Sequence, residues 1–131
     1  MQLKNFLILI VLGLFYGCQE VEINMPQPND LLEVGTEIVY FEFIPDTGNN
    51  TFSLRHAIKF TNPNNVAVNG FYEISTRADG LETKTLSSNN SACYRIEAKS
   101  DCTFSFYVED SFDLGRINTI ELVSVKYTIE K

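Results

Sequence analysis

Phe52-Ser-Leu-Arg-His-Ala-Ile-Lys-Phe-Thr61 is the stretch whose reading decides the fold. Phe52, Leu54, His56, Ile58 and Phe60 fall on one side of an extended chain, and Ser53, Arg55, Ala57, Lys59 and Thr61 on the other. That period of two belongs to a half-buried β-strand and not to a helix. Asn62-Pro63-Asn64-Asn65 then turns the chain. A partner run follows over 66–76, where Gly70 suggests a bulge.

Working outward, the same period recurs and a period of 3.6 does not. Residues 37–44 are rich in β-branched and aromatic types and stop at the loop Pro45-Asp46-Thr47-Gly48-Asn49-Asn50. Ala78-Asp79-Gly80 reads as a turn, and 81–86 as a short, polar edge strand. Two strands are expected over 92–97 and 102–109, around Lys99-Ser100-Asp101. A last strand over 117–129 is expected to carry Val123, Val125, Tyr127 and Ile129 on one face. About seven short strands with no helix between them predict an all-β chain, an antiparallel two-sheet β-sandwich of immunoglobulin-like type spanning 36–131.

The segments Ile58 to Ile74 and Ile96 to Phe106 resemble the immunoglobulin-like and transthyretin-like modules of bacterial surface proteins. Asn62-Pro63-Asn64 is similar to the corresponding part of the water-stress (late-embryogenesis) sandwich domain. The chain has no Trp, so the tryptophan of true immunoglobulin domains is absent. The resemblance implies a fold and no activity.

The other end of the chain carries a different signal. Lys4 precedes an uncharged run over 6–17, which is shorter than the roughly 20 apolar residues that span a membrane and suits the h-region of a signal peptide. Phe15-Tyr16-Gly17-Cys18 resembles the lipobox of bacterial lipoproteins, although Phe15 and Tyr16 are bulkier than the usual residues. The resemblance implies that 1–17 is removed and that the Cys18 thiol carries diacylglycerol, anchoring the chain to a membrane. A secretory signal cut elsewhere and an uncleaved membrane helix are the alternatives. Residues 18–35 read as a tether, with Pro26, Pro28, Asn24, Asn29 and Asp30 opposing regular structure. Leu31, Leu32 and Val34 are candidates to join the domain. Glu20 and Glu22 are similar to the short acidic export signal of lipoproteins bound for the outer face of the outer membrane, and solvated linker charge explains them equally well. The expected location is the cell envelope, lipid-anchored at the outer membrane, on its periplasmic or surface side.

Charge narrows the partners. The chain has 10 basic and 17 acidic residues, a formal charge of −7 that becomes −8 once Lys4 leaves with the signal. An acidic chain without a Lys/Arg cluster is a poor nucleic-acid ligand and gains nothing at anionic headgroups. The expected partners are therefore the membrane, through lipid on Cys18, and another envelope protein or a glycan.

With Cys18 lipidated, Cys93 and Cys102 remain as an even pair in an oxidising compartment. Their bridge would contribute about 2.5–3 kcal/mol in the chain-entropy model. Strict alternation, however, places Cys102 with Phe104 and Phe106, but Cys93 opposite Tyr94 and Ile96. The bridge therefore requires a bulge or strands in facing sheets.

Groups arranged for chemistry are few in the sequence. His56, the single histidine, lies mid-strand between Leu54 and Ile58, where a satisfied core imidazole is the ordinary reading. The carboxylates Glu42, Glu73, Asp79, Glu82, Glu97 and Asp101 are scattered. Asp46 to Asn50 and Glu109 to Asp113 lack the ligand spacing of a calcium loop. No cofactor, metal site or catalytic residue is expected. The reading is a non-enzymatic binding, inhibitory or assembly module, with a small glycan-directed hydrolase using a carboxylate pair as the alternative.

Overall fold

A computed structural model describes residues 31–112 and 115–130. Seven strands follow in order: β1 (Gly35–Ile44), β2 (Thr51–Thr61), β3 (Val68–Ala78), β4 (Leu81–Leu86), β5 (Arg95–Ile96), β6 (Asp101–Ser111) and β7 (Ile120–Ile129). One sheet has the order β1-β2-β6. In the other, β3 is central, pairing with β4, with β7 and, at its N-terminal end, with the short β5. All pairings are antiparallel. The protein is an all-β sandwich.

The alternation of 52–61 sets the interior. Ile58 and Phe60 are fully buried and meet Val68, Tyr72, Ile74, Ile96 and Tyr127 from the facing sheet. The Phe60 ring lies 5.3 Å from Tyr72 and 5.2 Å from Tyr127, centre to centre. Burial of a side chain of this size stabilises by roughly 1.5–3 kcal/mol.

Asp79 and Gly80 both have positive φ (44° and 89°) and sit between the paired residues Ala78 and Leu81. This is the two-residue hairpin that Asp-Gly favours, because its twist matches the strands. The Asp79 carboxylate also accepts bonds from the backbone N–H groups of Asn118 and Thr119, fastening the turn to the chain entering β7. Those donors, Asn118 first, hold its pKa below the ordinary carboxylate value.

Two details of β3 and β7 differ from the expectation from sequence. The β3–β7 register shifts so that Ser75 pairs with Ser124 and Thr76 with Leu122. Val123 is thus an extra residue, 41% exposed, and Leu122 packs against the core in its place. Gly70 marks no bulge; it is where the β7 ring of Tyr127 passes close to the β3 backbone. Leu31, Leu32 and Val34, the candidates to join the domain, pack against it. Leu32 donates its N–H to Asn64 Oδ1 at 2.8 Å and accepts from Asn64 Nδ2 at 2.9 Å, and Val34 is buried in the core.

Cys93 and Cys102 are joined, with Sγ atoms 2.04 Å and Cα atoms 5.5 Å apart. The expected strand over 92–97 shrinks to Arg95–Ile96, and Cys93 sits before it in a turn with φ of 64°. Because β5 belongs to one sheet and β6 to the other, the bridge spans the sandwich, and the conflict of faces disappears.

Asn62, assigned to a turn from sequence, is fully buried. Its Nδ2 donates to Val66 O (2.9 Å), Ile96 O (3.2 Å) and Glu97 O (3.0 Å), and its Oδ1 accepts from Asn64 N and Nδ2, both at 2.9 Å. One amide side chain thus ties the β2–β3 turn to the chain between β5 and β6.

Candidate functional site

His56 lies on β2 in a cross-strand row with Phe41 of β1 and Phe106 of β6. The imidazole stacks on both rings, at 5.8 and 5.1 Å, and meets Phe104 at 5.6 Å. The residue is 5% exposed. It is a core residue, but not a satisfied one, since Nδ1 is buried without a hydrogen-bond partner. With rings on both sides, burial pushes its pKa below the ordinary histidine value, favouring the neutral form.

A cavity of about 140 Å³ opens beside this row, lined by Leu54, His56, Ile74, Thr76, Thr85, Phe104 and Phe106. Its lining comes from β2 and β6 of one sheet and from β3 and β4 of the other. Charged side chains are absent from that lining. The neutral histidine therefore has a definite consequence for stability. Its proton affinity is lower folded than unfolded, so stability is present above the unfolded value of about 6.5 and is lost as pH falls below it. Between about pH 5 and 6.5, where ordinary carboxylates scarcely titrate, the wild-type denaturation midpoint should fall with acidification. In His56→Leu that slope should vanish; a slope of equal size in the variant would place its source elsewhere.

The four outer strands differ in how their unpaired edges are protected. In β1 the register shifts at Val39, and Glu37 and Glu42 add charge. In β7 the shift lies at Val123, beside Glu121 and Lys126. β4 has six residues, among them Glu82 and Lys84. Bulges, charges and shortness are the usual guards against pairing with another chain. β6 has none of them along its middle. It pairs with β2 over 11 residues without a shift, and 102–108, Cys-Thr-Phe-Ser-Phe-Tyr-Val, contains no charge, Pro or Gly. Among the described residues no strand pairs with its far side. Phe106 is 39% and Tyr107 63% exposed. In the sequence, 102–109 is legible as a strand but not as an edge. The signal was that uncharged run, which becomes informative only once the neighbours of β6 are known.

The outer face of the β1-β2-β6 sheet is polar around exposed tyrosines. Arg55 pairs with Glu42 and lies 6.0 Å from the Tyr40 ring centre. Glu109 accepts from the hydroxyls of Thr51 and Tyr107, both at 2.8 Å, which hold its pKa below the ordinary value. The carboxylates singled out from sequence are dispersed. Glu73 pairs with Lys84, Glu82 with Ser75 and Arg77, Glu97 with Arg95, and Asp101 with Lys59. Asp46 binds Arg116. Among the described residues no group of three or more His, Cys, Asp or Glu side chains is placed to hold a metal ion. Cys18, Asp113 and the segments 1–17 and 18–30 lie outside the described residues. No family model, curated protein or solved structure matches the chain.

Proposed function

We propose that this protein is a lipid-anchored module of the cell envelope whose sandwich binds another envelope protein, in a ligand-binding, inhibitory or assembly role, without catalysing a reaction. The observation that carries the reading is the unguarded middle of β6, a strand paired with β2 on one side whose other edge is neither paired nor guarded among the described residues. An exposed, uncharged strand edge offers backbone donors and acceptors to an added chain, a common mode of peptide recognition. The anchor rests on Gly17-Cys18 after the apolar run. Two or three acyl chains, as in the lipoproteins the motif resembles, would make attachment effectively permanent, since a single chain binds only marginally.

Two measurements test the two halves. Cys18→Ala should shift the protein from the detergent phase to the aqueous phase and abolish incorporation of labelled fatty acid. A variant that still partitions with detergent and keeps its gel mobility would remove the lipoprotein reading. Affinity capture with the lipidated protein from its own envelope should recover a discrete protein partner at stoichiometric yield. Recovery of polysaccharide alone would redirect the reading to a glycan ligand held against Tyr40 and Tyr107.

A further inference from the structure

We infer that β6 is the docking edge, and that its partner is an extended peptide segment with apolar side chains at alternate positions and Lys or Arg at its ends. The inference rests on the binding-module reading above and specifies its site and ligand chemistry.

The backbone supplies the first half. In an antiparallel pair every second residue turns its N–H and C=O away from the partner strand. Over 102–108 these groups face outward along an edge kept straight by the unbroken β2–β6 register. The other outer strands are each interrupted by a bulge or charge, or are short, so an added strand meets least resistance here.

The side chains supply the second half. A strand laid along β6 alternates its residues between the two faces of the sheet. Those on the inner face would fall beside Phe104 and Phe106, which line the 140 Å³ cavity together with Leu54, His56 and Ile74. That volume is close to the ~150 Å³ at which an apolar cavity accepts benzene. One aliphatic side chain of the partner would fill it and cover Phe106. Residues on the outer face would lie beside Ser105 and Tyr107.

Charge selects the occupant. Acidic residues flank the neutral middle of β6, with Asp101, paired with Lys59 of β2, before it and Glu109 and Asp110 together after it, and no basic residue lies between 101 and 111. A second copy of the chain, paired antiparallel about Ser105, would set Asp101 of each copy opposite Glu109 of the other. Like charges directly opposite are destabilising. The chain's own preceding segment carries Glu20, Glu22 and Asp30 and meets the same repulsion. A segment with basic ends meets attraction, strongest where Glu109 and Asp110 lie together and weaker at Asp101, which Lys59 partly neutralises, and its association should weaken with salt.

A synthetic heptapeptide, Lys-Val-Thr-Val-Thr-Val-Lys with blocked termini, tests this on the mature protein. Two companion probes are a version with Glu at both ends and one N-methylated at alternate residues. We expect the Lys-ended peptide to slow hydrogen exchange in 102–108 and to bind about tenfold or more tightly than either companion at low salt. Its advantage over the Glu-ended probe should shrink as salt rises. Phe106→Lys should abolish binding with the circular dichroism spectrum of a folded chain, at a lowered denaturation midpoint because the Phe106 ring also stacks on His56. Should that variant unfold, the N-methylated probe still decides the question. Equal affinity for the Lys- and Glu-ended probes overturns the charge rule, and equal binding of the N-methylated probe overturns strand addition. Protection at 35–44 or 81–86 in place of β6, dimerisation of the free chain through β6, or no binding of any probe also overturns the inference. If every peptide fails while affinity capture still yields a discrete envelope protein, this inference falls and the module reading stands; failure of both removes both.

Discussion

Replacing Asn62 with Ala is expected to destabilise the domain by about 3–5 kcal/mol, a large fraction of the roughly 5–15 kcal/mol by which small domains are stable. The side chain is fully buried, and its amide serves three carbonyls and two N–H donors on two different chain segments. Its loss removes a donor from the carbonyls of Val66, Ile96 and Glu97, of which Glu97 O keeps the Ser100 N–H at 3.3 Å, and a buried carbonyl left unsatisfied costs about 1–3 kcal/mol. Some relief from entering water keeps the total below the sum. Asn62→Asp should be at least as damaging, because an acceptor-only carboxylate would replace the donor facing the three carbonyls. Asn64→Ala should cost less, since it removes the Leu32 clamp but leaves the three carbonyls bonded. Urea denaturation midpoints at constant slope check the ranking. A cost below about 1 kcal/mol for Asn62→Ala would show that water replaces the amide and that it is no keystone.

Gly70→Ala should cost about 3 kcal/mol, at the upper end of ordinary overpacking. A Cβ at this position would lie 2.4 Å from Tyr127 Cε1 and 2.5 Å from the Thr128 carbonyl oxygen. Neither neighbour yields easily. The oxygen is backbone of β7, the strand paired with β3. The Tyr127 ring is buried, and its hydroxyl donates to Cys93 O and Tyr94 O, both at 3.0 Å. Burial raises the pKa of that hydroxyl to about 12, so it remains a donor at any physiological pH. For a domain of this size the change corresponds to a Tm decrease on the order of 15 °C. A combined Gly70→Ala, Tyr127→Leu protein should recover part of the loss if the ring is the obstacle. Loss unchanged in the double variant would assign the clash to the Thr128 carbonyl instead.

Much of the architecture was legible because it depends on local alternation and turn chemistry. The run 52–61 declares its buried face through Leu54, His56, Ile58 and Phe60, and Asp79-Gly80 declares a hairpin because few other pairs tolerate positive φ twice. The site was much less legible. Charge, Pro and Gly are absent from 102–108 in the sequence, but that absence has meaning only beside β1, β4 and β7, which are each guarded. His56 reads as core from its neighbours in the chain, yet its buried, unpartnered Nδ1 depends on Phe41 and Phe106 from two other strands.

By itself, then, the sequence determined the buried face of 52–61, the hairpin at Asp79-Gly80, the acidic balance and the lipobox-like Gly17-Cys18, since each rests on residues adjacent in the chain. Only the tertiary structure decided that Val123 bulges and that Gly70 makes room for Tyr127. It also decided that Cys93 and Cys102 meet across two sheets, that Asn62 is a buried hub, and that β6 stands at an edge. Those outcomes depend on which strand lies beside which, and pairing between distant segments is set by how the whole interior packs, a quantity no short stretch of chain contains.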